Sequence, residues 1–161
     1  MAKPSYMSIK DDKGQDVKGG VLIADRKGTS EVLEFSTGVK LPLNPHTNAP
    51  AGVREHDGFT VVTVMDATYP VLVQALTTGK RFKSVEINAY AHDEQGKEKI
   101  THTFTLEDVI PSVVEAFQPN VLTAPNNPQQ YKAVFRYSKI TQVWKDGNVT
   151  ATDDWKASRS A

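Results

Sequence analysis

Four histidines, His46, His56, His92 and His102, offer the most reactive chemistry in this 161-residue sequence. The run Glu55-His56-Asp57 sets an imidazole between two carboxylates, a grouping that could ligate a divalent metal or relay a proton. Catalytic zinc sites space their ligands as in His-Glu-x-x-His on one helix face, and none of the four histidines has that spacing. Surface or cross-strand positions account for all four, so neither a metal nor any other cofactor is expected. The carboxylate pairs Asp11-Asp12 and Asp153-Asp154 fall in turn-like or terminal stretches where water solvates them. A glycosidase pair would have to be assembled by the fold. There is no Gly-x-Ser-x-Gly elbow, no glycine loop that would cradle phosphate and no cysteine. Lys80, Arg81 and Lys83 follow an expected helix, where they complement its C-terminal dipole; phosphate sites favour the opposite end. Trp144 and Trp155 are read as core or interface residues. Asn148-Val149-Thr150 matches a glycosylation sequon without a secretory context. An enzyme is not expected.

Nineteen basic residues balance nineteen acidic ones. A net charge of zero argues against nucleic acid or an anionic membrane held by long-range attraction, and it favours self-association. Valine, isoleucine and threonine supply 18, 6 and 15 residues against 8 leucines and 3 methionines. Side chains branched at Cβ suit a pleated surface, which makes the chain mainly β. No run of about 18 apolar residues is present to insert in a membrane. The first residues carry no apolar signal-peptide core, so synthesis in the cytoplasm is expected, with any export using a route that reads no such signal.

These side chains hang on a single expected domain over residues 1–161. Residues 5–10 alternate as a short strand, 19–24 form a weaker one, and 31–41 a stronger one. In the last, Leu33, Phe35, Val39 and Leu41 share the core parity while Glu34, Ser36 and Lys40 share the polar one. Residues 41–58, with Pro42, Pro45 and Pro50 among Asn44, His46, Asn48 and Gly52, read as an oversized extended loop. A strand over 59–65 leads to a helix over 68–79, capped by Thr68, with Val71, Leu72, Ala75 and Leu76 as its apolar stripe. Strands over 85–91 and 100–106 flank a hairpin loop at 93–97. Further strands run over 109–117, with Pro111 marking an edge or bulge, and over 131–144, and residues 150–161 form a C-terminal tail.

Several short stretches share an order with one family. Val32-Leu33-Glu34-Phe35-Ser36-Thr37-Gly38, the long loop, Phe59-Thr60-Val61-Val62, Asp66-Ala67-Thr68-Tyr69-Pro70 leading through its helix to Thr78-Gly79-Lys80, and Asp153-Asp154-Trp155 together resemble the Hcp (haemolysin-coregulated protein) family. These are tube subunits of the bacterial type VI secretion system. The resemblance implies a small two-sheet β-barrel with one flanking helix, hexameric rings stacked into a tube, and no catalysis. Its implied partners are other copies, a VgrG spike, a contractile sheath and secreted effectors carried in the lumen, with export to the outside or into a target cell. On this likeness Glu34, Ser36 and Lys40 face the lumen. The loop residues Asn44, Pro45, His46, Asn48, Pro50 and Val53, with Trp155, belong to subunit or ring contacts. Two alternatives stay open: a contractile-phage tail-tube protein and a non-enzymatic barrel that binds a small ligand.

Overall fold

A computed structural model describes residues 3–154. Nine strands and one helix follow in the order β1 (Ser5–Lys10), β2 (Asp16–Val17), β3 (Ser30–Lys40), β4 (Glu55–Val64), α1 (Thr68–Thr78), β5 (Phe82–His92), β6 (Glu98–Phe117), β7 (Gln130–Arg136), β8 (Lys139–Trp144) and β9 (Val149–Asp154). Every pairing is antiparallel. The path β1-β3-β4-β7-β6-β5 returns to β1, so these strands close on themselves as a barrel. Closure leaves few free edges for stray pairing.

β6 makes the closure possible because it serves both sheets. Its first half pairs with β5 on one edge and β8 on the other, and its second half pairs with β7. The sequence suggests two separate strands at 100–106 and 109–117. The structure instead runs them together through a bend, with Asp108 at a positive φ of 55° and a register shift between Pro111 and Val113. A bulge turns a strand without ending it. The expected single strand over 131–144 has the opposite fate. It breaks at Tyr137 and Ser138 into β7 and β8, which lie end to end along the same edge of β6.

Inside the barrel, Phe59, Val61, Tyr131, Ala133 and Phe135 from β4 and β7 meet Met7, Ile9, Val85, Ile87, Phe104 and Leu106 from the other sheet. The expected core parity of the third strand fails. Leu33 is 44% exposed, whereas Val32 is 5% exposed. The pairing of β3 with β4 shifts register between Val32 and Glu34 and again between Thr37 and Val39. At the first shift the extra residue lies in β3 and turns Leu33 away from the core, and at the second it lies in β4; of the four predicted residues only Phe35 packs on the core, and Val39 and Leu41 are exposed. Residues 19–24 form no strand; the segment is a loop containing a short 3-10 turn at Ala24–Arg26.

The helix lies close to its predicted range, but its capping differs. Thr68 is the first helical residue, and Asp66 accepts hydrogen bonds from its backbone N–H at 2.9 Å and from its hydroxyl. The same hydroxyl meets the Tyr131 hydroxyl at 2.5 Å, fastening the start of α1 to β7. Burial pushes the Tyr131 phenol up to about 12. Leu72 and Ala75 are buried, while Val71 and Leu76 stay partly in solvent. Gly79 ends the helix at φ 71°, its N–H donating to the Ala75 carbonyl. Nothing lies within 4 Å of where its Cβ would be, so Gly79→Ala tests backbone conformation alone. A urea titration should show a loss of about 1 kcal/mol; an unchanged midpoint would mean that the left-handed cap contributes nothing.

Candidate assembly interface

Residues 41–54 leave the barrel between β3 and β4 as an arm. The sequence treats 41–58 as irregular throughout, but β4 already begins at Glu55 and the arm is bonded to itself. Leu43 bridges Pro50, the Ala51 N–H donates to the Pro42 carbonyl at 2.9 Å, and the Asn44 N–H donates to Ala49 at 2.8 Å. The Asn44 side-chain oxygen accepts from the backbone of His46 and Thr47. Asn48 turns the chain at φ 55°, a conformation asparagine tolerates better than most residues. Pro45, His46, Asn48, Pro50 and Val53 are all exposed. Prolines explain the weak strand signal: they remove N–H donors from the ladder yet stiffen the arm.

At the base of the arm is a cluster that sequence reasoning missed. Arg54 forks onto the Asp153 carboxylate through Nε and Nη2 at 2.5 and 2.6 Å. His56 lies between Asp153 (Nε2 to Oδ2, 2.6 Å) and the Tyr137 hydroxyl (Nδ1, 2.9 Å), with its side chain only 6% exposed. The Arg54 guanidinium, helped by His56, lowers the Asp153 carboxyl to about 2, and burial pushes the Tyr137 phenol up. Asp153 is therefore neither in a tail nor simply solvated: it sits on β9, paired opposite Ile140 of β8. β4 pairs along β7, β9 pairs along β8, and the cluster closes the gap where β7 gives way to β8. Its bonded partners are 81 to 99 residues apart, beyond any local pattern. In the sequence Arg54 falls within the irregular stretch 41–58, and nothing local links it to Asp153.

Of the residues expected to face a lumen, Glu34 and Ser36 are exposed on β3, and Lys40 pairs with Glu55 at 3.4 Å. Arg54, at the base of the arm, meets Asp153, one residue before β9 ends. Trp155 lies outside the described residues. The histidines do not come together. His92 approaches Glu98 at 3.7 Å, and His102 stacks on Phe104 with ring centres 4.2 Å apart, where burial lowers its pKa. Among the described residues no group of three histidines, cysteines, aspartates or glutamates gathers to hold a metal ion. Nor is any helix among them long and apolar enough to cross a membrane. Lys80 and Arg81 pair with Asp12 and Asp108 at 3.4 and 3.5 Å.

A closed antiparallel barrel with one helix and a projecting arm fastened at its base to β9 defines a mainly β protein. Comparison with known proteins gives it a family. A family model described as "Type VI secretion system effector, Hcp" matches residues 6–144, and the chain belongs to the Hcp family of type VI secretion tube proteins. It is 29% identical to the "Major exported protein" of Pseudomonas aeruginosa, with 98% of each chain covered. A solved structure of the Hcp1 protein from E. coli EAEC 042 superposes with a TM-score of 0.85 at 32% identity, covering 96% of this chain and 99% of that one. The secreted protein Hcp3 from Pseudomonas aeruginosa gives 0.77 at 26% identity, with 96% and 99% covered.

Proposed function

We propose that this protein is a non-enzymatic, ring-forming subunit of a type VI inner tube. Hexameric rings stack, associate with a VgrG spike and a contractile sheath, and carry effectors in the lumen. The subunit is cytoplasmic before assembly and leaves the cell as part of the machine it builds. Glu34, Ser36 and Lys40 are its lumen-facing side chains. Asn44, Pro45, His46, Asn48, Pro50, Val53 and Trp155 belong to its contacts with other copies.

The observation that carries this reading is the stiff, self-bonded arm held at its base to the last strand. It exposes Leu43 and Val53 to solvent. Apolar side chains on a constrained projection favour docking, because little conformational entropy remains to be lost. Native mass spectrometry should find a hexamer, and electron microscopy a ring with a central hole. A monomer at micromolar concentration with no larger species would overturn the proposal. Deleting residues 44–53 should abolish stacking and leave the β-rich circular dichroism spectrum unchanged. Loss of that spectrum would make the arm a folding element instead.

A further inference from the structure

Against the cluster of Arg54, His56 and Asp153 lies an open cavity of about 240 Å³. Thr37 and Val39 of β3, His56 of β4, and Tyr137, Ile140 and Gln142 line it. It falls below the range of about 300–1,000 Å³ usual for a small-molecule site. Among the described residues no aspartate, glutamate, lysine or arginine lines it. Both ring nitrogens of His56 are bonded, Nε2 to Asp153 at 2.6 Å and Nδ1 to the Tyr137 hydroxyl at 2.9 Å, so the face of the ring is what it offers. The Tyr137 ring stands at 85° to it, 5.5 Å away between centres. The Thr37 hydroxyl donates to the Gly58 carbonyl at 3.1 Å, which leaves its oxygen to accept, and the Gln142 amide supplies a second acceptor. Val39 is 55% exposed.

β9 ends beside this cavity. Asp153 pairs opposite Ile140, so their side chains share one face of the ladder, and Asp154 opposite Lys139 makes the last pair. Alternation along a strand returns position 155 to the face of Asp153. That position is Trp155, the first of residues 155–161.

We propose that this cavity seats the indole of Trp155 from the same chain. An indole is uncharged, presents aromatic surface to His56, Tyr137 and Val39, and carries one N–H, for which a buried tryptophan needs an acceptor such as Thr37 or Gln142 provides. Attachment one residue beyond β9 brings it to the rim already oriented. A side chain from a second copy would lose translational and rotational freedom to reach the same place. The inference rests on the tube reading at one point, which it deepens: Trp155 serves contacts between copies by bracing the base of the arm through His56.

Trp144 is the other tryptophan, so in Trp144→Phe the emission reports Trp155 alone. Trp144 is half-exposed at the end of β8, which favours folding of that variant. If it does not fold, the difference between the parent and Trp155→Phe gives the same signal. Emission should be blue-shifted, and iodide should quench it several-fold more weakly than in the urea-unfolded chain. Quenching equal to that of the unfolded chain overturns the seat. Adding Val39→Phe, which fills the cavity, should restore strong quenching; unchanged shielding would mean that Trp155 is buried elsewhere and overturns it too. Refolding the reporter chain with a large excess of a tryptophan-free chain carrying Val39→Phe separates own seat from neighbour's. Shielding that persists supports the same chain, and shielding that is lost assigns the indole to a second copy and overturns the proposal. Trp155→Ala should keep single rings and weaken their stacking; unchanged stacks overturn the bracing role. A parent protein that forms no rings overturns the tube reading, and iodide quenching still decides the seat.

Discussion

Replacing Phe59 by alanine should lower the free energy of unfolding by about 3–5 kcal/mol, the range for truncating a fully buried aromatic. Phe59 has no exposed surface. Its ring centre lies 5.6 Å from that of Phe35 and 5.2 Å from that of Phe104, which is itself 5.3 Å from Phe35. The three come from β3, β4 and β6, so one ring joins the two sheets. The surroundings cannot collapse into the space. Gly58 holds the preceding backbone at φ 81°, so close to β7 that a Cβ there would meet the Phe135 carbonyl oxygen at 3.1 Å. A typical domain of this size has 5–15 kcal/mol of stability, so the variant should be marginal as a monomer. On the proposed tube reading, assembly should recover part of the loss, because it would draw on the folded state alone. Urea titrations at low and high protein concentration separate the two effects; a midpoint within 0.5 kcal/mol of the parent, on the scale expected of a surface substitution, would remove Phe59 from the core.

The second large effect is expected of Asp153→Asn. The amide keeps the shape but removes the charge that Arg54 and His56 face. Asp153 is partly exposed, so screening reduces the penalty below that of a fully buried pair, to about 2 kcal/mol at neutral pH. The carboxyl titrates near 2 in the folded protein against an ordinary 3.8. A lowered acid pKa stabilises the fold above the unfolded value and loses that contribution as pH falls through the folded value. The parent should therefore exceed the variant fully above about pH 4, and the two should converge by about pH 2. Hydrogen exchange locates the effect: β9 and residues 41–54 should exchange faster, while amides of Val61 and Ala133 should not change. Equal stability at pH 7 would mean that the cluster does not hold the arm.

How far the sequence reveals this molecule depends on whether the governing interactions are local. The alternation of Val85, Ile87 and Ala89, the Gly96 turn and the Gly79 helix end act over a few residues, and each appears where predicted. The third strand shows the limit. Leu33 is as apolar as Val32, and nothing in the letters says which of them the bulge expels; cross-strand register with β4 decides. Asp108 and Pro111 look like strand breakers, yet the chain turns a barrel corner through them because β5 and β7 hold both halves of β6. β9 passes for a tail since only its pairing with β8 makes it a strand. The Arg54-His56-Tyr137-Asp153 cluster joins three distant segments, and single-sequence periodicity carries no information at that range.

Barrel closure also sets a timetable. Ser5 of β1 pairs with Ala89 of β5 on one edge and with Val32 of β3 on the other. A ribosome adds about 5–20 residues per second, so the first strand waits several seconds before its second partner has even been made. During that interval one of its edges is open beside other nascent copies that carry the same unpaired strand. Contacts so distant in sequence also place the fold among the slower small domains, in the millisecond-to-second range. Until β5 emerges, that open edge is thus where copies of this chain made side by side are most exposed to mispairing.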